Sequence, residues 1–572
     1  NGAFTFYGTE TGSDIADFLL GVSTFYNQAD SQTYYGRHKY ASAFYQDSWR
    51  ATSSLTLNFG VRWDLLQYWS EKYNQIPTFN LGQQSKVFPD APRGLVYPTD
   101  DGVPNTLVPQ GNRFAPRFGI AYSPSKSSGL LGKIIGGPGK TSIRAGYGMF
   151  YTVIQGNTIA IDEPQPPYGL SYTGNGTLFA TPFVTAADGS VHPQPFPMKF
   201  PPLNSTASNP TTGIDFSPFL PQAGMTTPFR GNSYPYNENY FLAVERQLGM
   251  NTLASVSYVG SQAHHLLTVY SANPGDPNLC VYLSKRENVT SDTLCGPGGE
   301  DTTYVTRDGR TFDGTRGPFG SNFSNNDFQG SFGNSSYNSL QASIRHSGNG
   351  LDLMLAYTYS KSIDQASSIS DVVDPFDYKR TRALSAWDLT HNLVATYSYQ
   401  LPLDRFTSRM KGLTRGWQIS GITRISSGFP VTISSDVDTS LQGSSPNGVN
   451  NHLIDLPDYT PGNLSLNGNP RNGLPYFNTD LFTTATLGTP GSASRRTIHG
   501  PGMLNFDMSL MKSFKLTETK NLQFRWETFN TFNHAQFFGP SSVAGDFDSN
   551  LFGQVVKAAP PRLMQLALKF TF

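Results

Sequence analysis

Several residue types able to do chemistry are present, but their spacing suits little of it. Gly136-Gly-Pro-Gly-Lys-Thr141 ends like a phosphate loop, whose glycines let backbone N–H groups cradle phosphates. That loop needs a glycine five residues before Gly139, where Ile134 stands, so a turn is expected instead. His264 and His265 are metal ligands by type. Adjacent strand residues point to opposite faces, and no Cys or carboxylate cluster stands beside them, so an ordinary loop pair is expected. Asp364, Asp371, Asp374 and Asp377 could offer oxygens to calcium, but they lack the EF-hand spacing and read as a solvated acidic loop. Cys280 and Cys295 share one Asn/Gly/Pro-rich stretch. An oxidising context favours a disulfide between them over two free thiols. No nucleophile elbow, zinc-protease helix motif or paired-Cys metal spacing occurs. Neither an enzyme, a metal site nor a cofactor is expected.

The elements that would position these residues are two-faced strands. In the final segment Leu566, Leu568, Phe570 and Phe572 fall on one side with Met564, while Gln565, Ala567, Lys569 and Thr571 fall on the other. Side chains alternate across a strand, and this length suits a tilted strand crossing a bilayer. The same alternation recurs in about fourteen segments, near 20–30, 33–50, 54–69, 112–123, 140–152, 237–248, 251–260, 336–347, 350–361, 390–401, 415–426, 504–515, 520–530 and 562–572. The segments near 33–50 and 251–260 have the weakest pattern. Parity places Arg62, Asp64, Arg117, Arg144, Gln341, Arg345, Gln418, Arg424, Asp507, Arg525 and Glu527 on the polar face. They would line a lumen, either touching a plug or solute or forming a charge network that stiffens the wall.

Composition agrees with membrane-spanning strands. Charged residues make up 14% and aromatics 13%, against roughly 25% charged in soluble domains. Mean hydropathy is nevertheless −0.36, as expected when only one face of each strand is apolar and the loops are polar. No apolar run is long enough for a spanning helix. Zero formal net charge argues against nucleic acid as the main partner.

The links between these strands alternate in length. Long ones lie at about 70–111, 153–236, 261–335, 362–389, 427–503 and 531–561, separated by short or moderate ones, including the basic 402–414 link with Arg405, Arg409 and Lys411. Bacterial barrels show this asymmetry, with short periplasmic turns and longer extracellular loops. Only the link near 30–33 breaks it. The long links include Asp162-Glu-Pro-Gln-Pro-Pro-Tyr-Gly169 and the Asn/Gly-rich run Gln442–Asn451. They read either as a binding surface or as plain solvated loop.

Several phrases also match a known family. Tyr45-Gln-Asp-Ser-Trp-Arg50, Leu55-Thr-Leu-Asn-Phe-Gly-Val-Arg62, Asn112-Arg-Phe-Ala-Pro-Arg-Phe-Gly119 and Arg144-Ala-Gly-Tyr-Gly-Met-Phe-Tyr151 are four of them. Tyr357-Thr-Tyr-Ser-Lys-Ser362, Gly416-Trp-Gln-Ile-Ser-Gly421, Glu527-Thr-Phe-Asn-Thr-Phe-Asn-His534 and the closing Phe570-Thr-Phe572 complete the set. In this order they resemble TonB-dependent outer-membrane receptors, and more specifically the Oar-like branch. The resemblance implies a barrel of about 22 strands, a plug inside it and a periplasmic energy-transducing partner. No plug, regulatory-like domain or partner-binding box is recognised here, so the segment reads as the carboxy-terminal barrel portion of a longer receptor.

The sequence thus leads to an all-β antiparallel transmembrane barrel spanning residues 1–572, in the bacterial outer membrane and against its lipid. Its expected work is energy-coupled uptake of a large, unidentified solute. A structural or surface-interaction barrel without transport is the alternative.

Overall fold

A computed structural model describes residues 2–572 except 31, 126–128, 130, 131, 133, 134, 153, 155–164, 193, 369, 370, 406–410, 445–452 and 467–470. Parts of the Asp162–Gly169 and Gln442–Asn451 runs, and Arg409, lie outside the described residues.

Thirteen long strands form one antiparallel meander, each paired with the next in sequence. They are β1 (Gly36–Arg50), β2 (Leu55–Glu71), β3 (Gly111–Tyr122), β4 (Thr141–Tyr151), β5 (Tyr236–Gln247), β6 (Thr252–Ser271) and β7 (Asp327–Gly348). The series continues with β8 (Leu351–Asp364), β9 (His391–Leu401), β10 (Trp417–Ser426), β11 (Met503–Lys515), β12 (Asn521–Phe529) and β13 (Leu563–Thr571). Two short strands join at one end, Thr226–Pro228 beside β7 and Ala383–Leu384 beside β8, giving a sheet of 15 strands. The sheet is open, with β1 and β13 as its edges.

Register keeps the two faces distinct across the whole wall. Leu566, Trp526, Leu510, Ile419, Tyr399 and Leu351 stand side by side in one row. One residue along, Gln565, Glu527, Ser509, Ser420, Ser398, Asp352 and Ser347 form a row on the opposite face. A slip of one residue would exchange the faces. Turn chemistry helps fix the register: Asn349 and Gly350 both take positive φ, 53° and 80°. That is the two-residue turn whose twist suits a hairpin.

Links alternate without exception along this meander. Long ones span 72–110, 152–235, 272–326, 365–390, 427–502 and 530–562, and shorter ones span 51–54, 123–140, 248–251, 349–350, 402–416 and 516–520. Gly136, Gly137 and Gly139 all have positive φ in a turn that leads into β4.

Three expectations are corrected. The segment near 20–30 is not a wall strand. Asp14–Leu20 is a helix, α1, capped by the Ser13 side chain and stopped by Gly21 at φ 71°. Phe25–Ala29 then pairs with Gly2–Thr5 and Ser171–Asn175 in a separate three-stranded sheet. Removing it also removes the one break in link alternation. The 261–335 link is shorter than expected, because β6 runs on to Ser271 and β7 begins at Asp327. These extensions pair backbone to backbone without a clean apolar face, so alternation did not mark them. Finally, the long links are not plain solvated loops. Among the described residues they fold around apolar clusters that include Phe88, Ile433 and Leu283, and a further cluster joins them to the wall through Leu66 and Tyr68 of β2.

Candidate functional site: the polar face and its folded links

The eleven residues assigned to the polar face by parity all lie on one face of the wall. Most are engaged locally. Arg62 Nε reaches Asp64 Oδ1 at 2.9 Å, and Tyr40 donates to the same carboxylate at 2.7 Å. Arg117 stacks its guanidinium 4.6 Å from the Phe150 ring centre. Arg144 pairs with Glu245 at 3.3 Å, and Arg525 with Glu527 at 3.4 Å. Gln341 donates to Ser339, Gln418 to Ser398 and Arg424 to Asn392. Asp507 accepts from the backbone of Asn530 at 2.8 Å. Arg345 lines the larger of two troughs on this face.

That trough, about 680 Å³, runs over β7 to β12 between Arg345 and Asp352 on one side and Asp507 and Glu527 on the other. Its floor is low because Ser398, Ser420 and Ser509 carry small side chains. A second trough of about 430 Å³ lies over β1 to β3 beside Arg62 and Arg117. The first carries charges of both signs, whereas the charged residues of the second are Arg62 and Arg117 alone.

The other face is apolar and exposed. Leu566, Leu568, Phe570 and Phe572 are 71%, 69%, 49% and 89% exposed. On β9, His391 stacks on Tyr357 near one end, and Tyr399 stands near the other. Eight residues at about 3.3 Å each separate them, or roughly 26 Å along the strand and about 20 Å of height at a barrel strand's tilt, somewhat less than the apolar band of an outer-membrane wall. Lys512 was not anticipated on this face. It is buried, donates to the Gly412 carbonyl at 3.0 Å and to that of Arg415, and lies over Phe514. A long basic chain that reaches back to a turn can sit on an apolar surface in this way.

The links hold the remaining chemistry. Cys280, in the helix α2 (Pro277–Leu283), is disulfide-bonded to Cys295. His264 and His265 are in β6, not in a loop. They sit where its register with β7 shifts, His265 has φ 57°, and both rings lie against Tyr236.

Most of the acidic run is not the solvated loop expected, although Asp377 is exposed. Asp364, Asp371 and Asp374 are buried. Arg495, fully buried, bonds Asp371 and Asp364, and Arg496 adds a 3.2 Å contact to Asp371. Asp374 lies 3.8 Å from Arg380, and Asp377 caps the backbone of Lys379. Burial pushes the Arg495 guanidinium down from its usual range, and the two carboxylates oppose that shift. Among the described residues no group of three His, Cys, Asp or Glu side chains is placed to hold a metal. Sequence reasoning missed Arg495, Arg496 and a second buried acidic set (Glu300, Asp438 and Asp455), because their partners lie far away in the chain.

Solved structures with a similar strand arrangement include three outer-membrane proteins. The ferripyoverdine receptor of Pseudomonas aeruginosa aligns at TM-score 0.35 and 11% identity, covering 94% of this chain and 39% of that one. The outer membrane transporter YddB from Escherichia coli gives 0.37 and 9%, with 96% and 55% covered. The siderophore receptor PirA from Acinetobacter baumannii gives 0.39 and 10%, with 93% and 45% covered. The chain therefore spans about half the length of these proteins, or less. A comparison with curated proteins finds no match. The family model described as "Outer membrane beta barrel domain" matches residues 1–565. With its two-faced strands, this chain belongs to the outer-membrane β-barrel domain family and resides in the bacterial outer membrane.

Proposed function

We propose that this chain is the barrel portion of a receptor for energy-coupled uptake of a large solute, in the Oar-like branch of TonB-dependent receptors. The apolar face meets lipid, and the polar face with its two troughs lines the lumen. The short-turn end faces the periplasm, and the long links lie outside as the capture surface. A plug domain would gate the lumen, and a periplasmic energy-transducing protein would drive it.

The observation that carries this reading is that every long link leaves the same end of the wall, while that wall keeps a polar face with open troughs. A wall serving only as an anchor has no need of both. The phrases from Tyr45 through Phe572 support the narrower assignment to the Oar-like branch.

A second reading keeps the barrel and drops transport: the folded links would bind matrix, protein or glycan. The apolar clusters and the disulfide favour it, since they make a firm surface for display. Deleting the full-length gene separates the two. Transport requires that uptake of at least one large solute falls and is restored by the intact gene but not after the periplasmic energy supply is abolished. If uptake of every tested solute is unchanged while surface adhesion is lost, the display reading replaces it.

A further inference from the structure

Two long links meet at a buried, acidic junction. The 272–326 link contributes Glu300, and the 427–502 link contributes Asp438 and Asp455; each of the three is at most 5% exposed. The links are pressed together there. Gly275 donates its backbone N–H to the Gln442 carbonyl at 3.1 Å, and a Cβ on Gly275 would stand 2.3 Å from the Leu441 oxygen and 2.9 Å from Glu300 Cγ. Leu441 packs into the same cluster as Cys280 and Cys295.

Three acidic side chains cannot all stay ionised in such a place without a compensating charge. Asp438 is well supported, accepting from the backbones of Gln442, Gly443 and Ser444 and from the Ser440 hydroxyl. Asp455 accepts from the Ser440 backbone at 2.8 Å through one oxygen, while its other oxygen has no partner among the described residues. The same holds for one buried oxygen of Glu300, whose carboxyl lies within hydrogen-bonding reach of Asp438. The cation facing Glu300 is Arg316, which is already held by Asp301 at 2.7 and 3.0 Å. Tyr304, the other titratable group beside Glu300, is neutral below its own elevated range. The described side chains offer no three-ligand group for a metal.

We propose that Glu300 and Asp438 share one proton across this junction, and that losing the proton unlatches the 272–326 link from the 427–502 link. A protonated Glu300 donates to Asp438, which already binds backbone donors as a carboxylate should. Once Glu300 ionises, two like charges face each other in a buried contact and the links separate. Burial, with Asp438 next, pushes Glu300 up to about 8, and burial raises Asp455 to about 6. A carboxyl raised in the closed form stabilises closure fully below its ordinary value. That contribution fades as pH climbs toward the raised value and is gone above it.

The test is amide hydrogen exchange of the full chain in detergent micelles, corrected for intrinsic rate, in peptides covering 296–303 and 436–444. Between the ordinary glutamate range and about 8, the opening constant should rise about tenfold per pH unit, hence about a hundredfold from pH 5.5 to 7.5. Glu300→Gln, whose amide donates to Asp438 without titrating, should stay closed and flatten that dependence. Asp438→Asn is the second variant; it removes the facing charge but not the burial of Glu300, so it should make the dependence shallower than wild type without abolishing it, and an unchanged slope there also overturns the proposal. A flat wild-type profile overturns the proposal, and so does a Glu300→Gln profile as steep as wild type. Calcium that abolishes the wild-type pH dependence, with terbium luminescence reporting stoichiometric binding, overturns it in favour of a metal.

Discussion

Arg495 Nη1 stands 2.5 Å from Asp371 Oδ2, a carboxylate 124 residues earlier in the chain. The same guanidinium donates twice to the Thr381 carbonyl. One side chain therefore fastens the 427–502 link to the 365–390 link. Replacing Arg495 with Met should leave Asp371 and Asp364 buried and short of charge, at a cost of about 3–5 kcal/mol. Exchange protection of both links should fall together, while strand protection in β8 and β9 stays near wild type. Equal loss in links and wall would show that the two do not open separately.

The disulfide should behave as a local staple. Cys280 and Cys295 are 15 residues apart, and a closed loop of that size restrains the open chain by roughly 3 kcal/mol in the entropy model. Cys280→Ser with Cys295→Ser should loosen the 272–326 link, seen as faster proteolysis there. Heat-modifiable gel mobility, which reports the wall, should not change.

Substitutions on β13 separate its two faces. Leu568→Arg puts a charge on the apolar face near mid-strand and should destabilise insertion by about 2–4 kcal/mol. Ala567→Arg, one residue away, faces the polar side beside Arg525 and should cost far less. Folding yield into lipid vesicles measures both. Comparable penalties would contradict the assignment of faces.

A fourth expectation concerns backbone contact between links. A Cβ at Gly545 would lie 1.8 Å from the Thr432 carbonyl oxygen, and next to it the backbone of Ser434 donates to Gly545. Gly545→Ala should part the 530–562 and 427–502 links, raising exchange on both sides of the seam without altering heat-modifiable mobility.

The wall was readable because its signal is periodic. Leu566 through Phe572, or Leu55 through Leu65, announce a face every second residue, and register only has to align them. The segment near 20–30 misled because Phe25 and Ala29 fit a strand locally, whereas the pairing partner, Ser171–Asn175, lies far along the chain. The links were opaque for a similar reason. Phe88 packs with Tyr168 and Phe216, and Arg495 with Asp371, across separations that leave no local pattern. Parity was enough to sort Arg62 through Glu527 onto one face. It could not foresee Lys512, because its tolerance there depends on the carbonyls of Gly412 and Arg415 within reach.

Apolar clusters hold the links together, and one of them ties the links to the wall through Leu66 and Tyr68 of β2. The ordering entropy of this surface is therefore met during folding, before any encounter. A partner docking there finds rotamers and backbones already set, so little of its contact energy goes into arranging the receptor. Recognition by such a surface rests on complementary shape, and an isolated synthetic link peptide, stripped of its neighbours, would be a poor mimic of it.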